Sequence, residues 1–187
     1  IVIGTKSFAY TAAGNRPGGY SMSQPGEKQS CSSKRGMIYV DGVGVVYPSP
    51  DGIMVCRGSA AKLPNATETI FTKEQWEALD PTSMIAVAYD GILFFWFTGT
   101  TPDRGYALDM KPGGFGLVTL SHHVTAVHTD PLTDKLYVVL DVNSEPTLVD
   151  LPLASTAVAA GQLLIYEFNS AAGSGNMVAQ WKGRLNL

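Results

Sequence analysis

Four apolar, β-rich runs along the chain are each broken by a short polar turn and then resume. The runs are GVVYPSPDGIMVC, AVAYDGILFFWF, AVHTDPLTDKLYVVL and LLIYEFNSAAGSGNMVAQW. With Gly52, Gly91, Asp134 and Gly173 as turn centres, the spacings are 39, 43 and 39 residues. A hairpin repeat of about 40 residues is typical of β-propeller blades. The pattern therefore predicts an all-β fold, a β-propeller or propeller-like meander with roughly four strands in each blade.

The dipeptide Asp-Gly separates apolar runs at two of these turns, Asp51-Gly52 and Asp90-Gly91, and at an earlier one, Asp41-Gly42. Asp-Gly supplies the positive φ angles that a two-residue hairpin requires. We therefore expect each of these dipeptides to occupy the centre of a hairpin turn.

The run ILFFWF is apolar at every position, which a strand with one face in water would not tolerate. It predicts a strand covered on both faces, as in a propeller blade packed between its neighbours. The more polar segments RGYALDM and EPTLVDL follow two of the hairpins at comparable distances, and we expect each to close its blade.

One segment, IFTKEQWEALDP, departs from the β pattern. Thr72 and Gln75 have the spacing of a capping box, Trp76 and Leu79 share a helical face, and Pro81 ends the pattern. These residues predict a short helix near 73–79 that packs between blades.

The chain is predicted to be a single propeller-like domain over residues 1–187, with a partial blade at 1–40. The first ten residues alternate weakly, and the Gly-, Pro- and Ser-rich stretch that follows, up to Ser30, predicts a long loop. The chain starts without Met or a signal-peptide pattern. Its last segment, NMVAQWKGRLNL, predicts the start of a further strand repeat that the chain does not complete. We expect a fragment of a longer protein.

The composition is 45% hydrophobic and 16% charged, which excludes a disordered tail. No apolar run approaches the roughly 18 residues of a membrane span, so no span is expected. The formal net charge is −3, from 13 basic and 16 acidic residues spread along the chain. This balance of charges predicts no basic surface patch of the kind that specific nucleic-acid binding needs.

No residue pattern predicts an active site, a cofactor or a metal. The carboxylates of Asp41, Asp51 and Asp90 are accounted for by turns, and we expect no enzyme. Alternation places His123 and His128 on opposite faces of one strand, and separates His122 from His128 by about 20 Å on one face. We expect ordinary structural roles for the turn acids Asp103, Asp130 and Asp134 and for the glycosylation-like triplet Asn65-Ala66-Thr67. The adjacent basic pair Lys34-Arg35 is expected in a solvated loop, and a contact between subunits is the sharper hypothesis.

Two cysteines, Cys31 and Cys56, are too few for a disulfide scaffold. Free thiols are favoured, and a pairing across neighbouring strands stays open. Most aromatic residues fall on alternating strand positions, where packing between blades is the usual role. Exposed rings would instead favour a carbohydrate-binding surface.

The order of several short motifs resembles a group of tailed-bacteriophage virion proteins. These motifs are Ser33-Lys34-Arg35, Asp41-Gly42, Tyr47-Pro48-Ser49-Pro50-Asp51-Gly52, Phe71-Thr72-Lys73-Glu74-Gln75-Trp76, Tyr89-Asp90-Gly91 and Trp181-Lys182. The resemblance runs from about Gly4 to Arg184, although Gly183 stands where a small polar residue is expected.

This resemblance implies a structural component of a short-tailed phage, similar to tail tubular or nozzle proteins whose propeller-like domains form a ring around the DNA exit channel. It implies a homo-oligomer located in the virion tail and assembled in the host cytoplasm. Its partners would be other tail or connector proteins and double-stranded DNA passing without sequence preference. The alternative is a propeller module that binds carbohydrate or a host receptor, and a glycosidase is a third hypothesis.

Overall fold

A computed structural model describes residues 1–16, 18–24, 26–57, 63–98, 104–111, 114–118, 123–132, 134–141 and 163–167 of the chain. Within these residues the fold is mostly β, with strands arranged in four antiparallel sheets. No helix in this part of the chain is long and apolar enough to cross a membrane. The all-β prediction is confirmed.

Each sheet is a meander of strands that are consecutive in the chain. Sheet 1 contains β1 (Val2–Gly4), β2 (Ala9–Ala13) and β3 (Ser21–Ser23), and sheet 2 contains β4 (Ile38–Val40), β5 (Gly44–Ser49) and β6 (Gly52–Cys56). Sheet 3 contains β7 (Met84–Tyr89), β8 (Ile92–Phe97), β9 (Arg104–Asp109) and β10 (Phe115–Val118), and sheet 4 contains β11 (His123–Asp130), β12 (Lys135–Asp141) and β13 (Leu163–Glu167).

The four sheets stack face to face in chain order, with one apolar cluster between each successive pair. Between sheets 1 and 2 the buried residues are Ala9, Tyr47, Met54, Cys56 and Leu63. Between sheets 2 and 3 the cluster includes Val46, Ile53, Val55, Leu93, Phe95 and Phe97, and between sheets 3 and 4 it includes Ile85, Phe94, Trp96, Val124, Leu136 and Val138. The inner sheets are therefore covered on both faces.

Strand β8 is the clearest case of such two-sided burial. Phe95 and Phe97 face sheet 2, whereas Phe94 and Trp96 face sheet 4. This confirms the interpretation of ILFFWF, because an unbroken apolar strand leaves neither face suited to water.

Strands β4, β7 and β11, each the first strand of its sheet, lie side by side at one edge of the stack. Later strands of each meander lie progressively farther from this edge. In sheet 3 this order gives four strands, with β9 third and β10 outermost. RGYALDM is therefore not the closing strand that was expected.

The helix α1 (Lys73–Glu77) starts at the predicted capping box. Thr72 Oγ1 accepts from the Gln75 backbone N–H at 3.2 Å, and Gln75 Oε1 accepts from the Thr72 N–H at 3.0 Å. The helix is two residues shorter than predicted, and a 3₁₀ turn at Pro81–Ser83 follows it. Buried Trp76 and Leu79 pack between sheets 2 and 3, as the helical pattern indicated.

Only one of the three Asp-Gly dipeptides forms the predicted two-residue turn. Asp90 and Gly91 both have positive φ, at 50° and 75°, and connect the paired residues Tyr89 and Ile92. The other two hairpins differ because strand pairing is displaced: Ser49 pairs with Gly52, so Pro50 and Asp51 form that turn, and Val40 pairs with Gly44 across a three-residue loop.

The long N-terminal loop was a wrong prediction, because β2 and β3 pair within that stretch. Their small residues have weak β propensity, and the backbone ladder with β1 sets the conformation. Strand β4 belongs to sheet 2, although it lies inside the predicted partial blade at 1–40. LLIYE pairs with β12 as a third strand of sheet 4. The predicted turn at Gly173, the segments EPTLVDL and NMVAQWKGRLNL, Asp103 and His122 lie outside the described residues.

Candidate functional site

The segment 31–36, with the sequence CSSKRG, forms hydrogen bonds to all four sheets or their connections. The Cys31 N–H donates to the Thr5 carbonyl at 3.0 Å beside sheet 1, and the Ser32 N–H donates to the Pro48 carbonyl in sheet 2 at 2.8 Å. The Ser33 hydroxyl donates to the Met84 carbonyl at the start of sheet 3, at 2.7 Å. The Arg35 guanidinium donates to the Thr125 carbonyl in sheet 4.

Two small residues let this segment approach the sheets closely. Ser33 is buried, and its hydroxyl donates to the carbonyl of Met84, which is also buried. At Gly36 a Cβ atom would lie 2.8 Å from the Pro48 ring carbons and 3.1 Å from Met84 Cε. The segment therefore tolerates little bulk where sheets 2 and 3 meet.

Lys34 and Arg35 are both exposed, in a short 3₁₀ turn at Lys34–Gly36. Arg35 reaches the Thr125 carbonyl at a β-bulge, where the register between β11 and β12 shifts. A bulge leaves one residue without a direct partner on the facing strand, so its carbonyl suits a cationic donor. The observed role of Arg35 is thus within the chain, and Lys34 presents its charge on the surface beside it.

The same bulge corrects the expectation for the histidines. His123 pairs with Asp141 and His128 pairs with Tyr137, so the two histidines lie on the same face of sheet 4. The four-residue step between their partners corresponds to about 13 Å along the strand. Among the described residues no group of three His, Cys, Asp or Glu side chains could hold a metal ion.

The turn residue Asp51 is held by two neighbouring side chains. Gln29 Nε2 donates to Asp51 Oδ2 at 2.9 Å, and Lys73 Nζ lies 3.2 Å from Asp51 Oδ1. The hydrogen bond from Gln29, followed by that from Lys73, lowers the pKa of the carboxyl. A general acid of a glycosidase needs a raised pKa instead. The lowered pKa does not suit that role. Asp51 instead joins the β5–β6 hairpin to the start of α1 through its ion pair with Lys73.

Asn65 also serves this hairpin. Its Nδ2 donates to the Asp51 carbonyl at 2.7 Å, and its Oδ1 accepts from the Thr67 N–H at 2.9 Å. The Thr67 hydroxyl in turn accepts from the Ile53 N–H at 3.0 Å. The glycosylation-like triplet thus has a structural use at the hairpin.

Asp51 lines a small pocket of about 440 Å³ together with Glu27 and Glu68. None of the described residues that line it is an arginine or histidine. Asp90 is exposed at the tip of a different hairpin. Asp51 and Asp90 both lie in turns, as expected, although neither is buried.

Neither Cys31 nor Cys56 is in a disulfide; Cys56 lies within the cluster between sheets 1 and 2, and Cys31 packs against it. Burial raises the pKa of both, which disfavours the reactive thiolate. Neither thiol shows the features of a nucleophile.

Sequence reasoning missed the bonds of segment 31–36, since they join residues up to 90 positions apart. It also missed a groove between sheets 1 and 2 in which two tyrosines are exposed. Comparison with models of known protein families and with curated proteins finds no match to this chain.

Proposed function

We propose that this protein is a structural component of the tail of a short-tailed bacteriophage. Its sheets would form part of a propeller-like domain in a homo-oligomeric ring of the tube or nozzle type. That ring would surround the DNA exit channel and contact neighbouring tail proteins. The motif resemblance supplies the phage-tail assignment, and the stack of sheets in chain order, which ends in an exposed apolar face, is the observation that supports assembly into a ring.

This end face is the side of sheet 1 that points away from sheet 2. Ile3 pairs with Tyr10, and Ala12 pairs with Met22, so these four residues share the face. Ile3 is 41% exposed and Met22 is 62% exposed. Between the other sheets such apolar faces are covered by the next sheet, and an uncovered one marks an interaction surface. Another sheet, in the same ring or a neighbouring subunit, fits this face.

The positions of the first strands support the same role. In a ring of sheets built like this stack, β4, β7 and β11 would be the strands nearest the central channel. The chain carries a small negative charge rather than a dense basic surface. DNA would therefore slide past with little counterion-driven binding.

The structure of the turns supports a scaffold rather than an enzyme. Asp51 has a lowered pKa and is bonded to Gln29 and Lys73. Its geometry serves the hairpin and the helix, and the proposal requires no catalytic residue.

Electron microscopy and native mass spectrometry of the protein test whether it assembles into rings, and we expect rings with a central channel. Mass spectrometry of purified virions tests whether the protein is part of the virion, and we expect it there in a fixed ratio to the other virion proteins. The double substitution Ile3→Glu with Met22→Glu should lower the fraction of oligomer. The single substitution Leu132→Glu, on an exposed turn of sheet 4, should leave that fraction unchanged. A protein that stays monomeric and is missing from virions would contradict the proposal.

A further inference from the structure

Sheets 1 and 2 pack closely at one end of their interface and separate at the other. Ala9, Tyr47 and Met54 fill the closed end. The open end is a groove of about 940 Å³ whose walls come from both sheets. This volume is in the range of small-molecule sites.

The wall formed by sheet 1 is polar, although it faces another sheet. Thr11 and Ser23 are paired across β2 and β3, and their hydroxyl oxygens lie 2.5 Å apart. The Ser21 hydroxyl donates to the Ala13 carbonyl at 3.3 Å. Thr11 is buried, whereas Ser21 is exposed and Ser23 is partly exposed, so the two serine hydroxyls can contact water or a polar ligand in the groove.

Two aromatic rings are exposed along this groove. Tyr39 lies on β4 beside Val45, in the face of sheet 2 that points toward sheet 1, and is nevertheless 63% exposed. Tyr20 precedes β3 and is 48% exposed. A Cβ atom at Gly14 would lie 2.9 Å from Tyr20 Cδ1, so a glycine is needed for the ring to pack there.

The wall formed by sheet 2 includes Arg57, which directly follows β6 and carries a positively charged side chain. Arg57 Nε donates to the Val43 carbonyl at 2.7 Å, which fixes its guanidinium at the edge of the groove. Gly44 has φ +122°, and a Cβ there would lie 3.2 Å from Arg57 Cγ. The described lining contains no carboxylate, so a cation is not the expected ligand.

We propose that this groove binds a saccharide chain. The rings of Tyr39 and Tyr20 would stack on the apolar faces of successive sugars, while the hydroxyl groups of Ser21 and Ser23 and the Arg57 guanidinium bind sugar oxygens. Arg57 is the one cationic side chain in the described lining, which is too little charge for a nucleic-acid backbone bound through several phosphates. The inference goes beyond the proposed tail role and does not depend on ring assembly.

An array of immobilised oligosaccharides, containing neutral and acidic chains, tests the binding with the full chain. The strongest array ligand is then titrated by calorimetry. We expect Tyr39→Ala and Tyr20→Ala each to weaken binding about tenfold or more, because exposed rings in a binding groove contribute strongly. Tyr39→Phe should bind like the wild type, since it keeps the ring.

Leu132→Ala is the control, because Leu132 is 93% exposed on the β11–β12 turn of sheet 4 and does not line the groove. It should leave saccharide affinity unchanged, and circular dichroism verifies that each variant is folded. The proposal is overturned if no array ligand binds more tightly than about 1 mM. It is also overturned if both alanine variants bind like the wild type, or if a short oligothymidylate binds in a Tyr39-dependent manner and saccharides do not.

Discussion

Trp76 in the helix donates a hydrogen bond from Nε1 to the carbonyl of Ser49 in β5, at 2.7 Å. The bond ties the helix to sheet 2, while the Trp76 ring meets Phe97 of sheet 3 edge to face at 5.5 Å. A second buried tryptophan, Trp96, has no hydrogen-bond partner for Nε1 among the described residues. The two indoles are similarly buried and differ in this bond.

Replacing each tryptophan with phenylalanine should separate packing from hydrogen bonding. Both changes leave a small cavity, but Trp76→Phe also leaves the buried Ser49 carbonyl without its indole donor. We expect Trp76→Phe to cost about 1 kcal/mol more free energy of unfolding than Trp96→Phe. Urea unfolding measures both values, and equal losses would show that the Trp76 bond contributes nothing.

Ser33→Ala removes the hydroxyl that donates to the Met84 carbonyl. That carbonyl would stay buried without this donor, so the free energy of unfolding should fall by about 1 to 2 kcal/mol. Ser32→Ala is the control, because Ser32 bonds Pro48 through its backbone N–H. Thermal unfolding should show a loss for Ser33→Ala alone, and an equal loss in the control would refute the assigned role.

Gly105 lies beneath the Trp96 ring in the β8–β9 ladder. A Cβ there would be 2.4 Å from Trp96 Nε1 and 2.6 Å from the Val118 carbonyl oxygen. Gly105→Ala should therefore destabilise the protein by about 1 to 3 kcal/mol. At Gly114 the nearest atom is 3.6 Å away, so Gly114→Ala should stay within about 0.5 kcal/mol of the wild type in chemical denaturation.

Asp51 should make stability depend on pH in the acid range. Its pKa is lowered in the folded protein by Gln29 and Lys73, so its contribution is present above about pH 4 and is lost as the pH falls through the folded pKa. Unfolding curves for the wild type and Asp51→Asn should therefore converge on acidification. Removing the partner with Lys73→Met should shrink the pH-dependent difference, and an unchanged difference would exclude the ion pair as its source.

Local rules predicted the helix start and the burial of β8. The capping box joins Thr72 and Gln75, three positions apart, so its partners are visible in the sequence. An unbroken apolar strand such as ILFFWF can only be covered on both faces. Neither conclusion needs knowledge of which distant residues meet.

Strand pairing fixed several features that the pattern of the sequence did not predict. A bulge beside Thr125 shifts the alternation of β11 and brings His123 and His128 to one face. A displaced register makes Pro50 and Asp51 the turn residues in place of Asp51 and Gly52. The candidate groove was also hidden, because its walls come from two sheets and Tyr39 alternates like a buried strand residue.

The bonds of segment 31–36 bear on how the protein unfolds. A stack in which each sheet contacts only the next could lose sheets one at a time from an end, as repeat proteins do. Arg35 crosses that order by joining the segment before sheet 2 to Thr125 in sheet 4. Detaching sheet 4 therefore breaks a bond to a segment that also holds sheets 2 and 3, and this shared anchor favours cooperative unfolding over stepwise peeling.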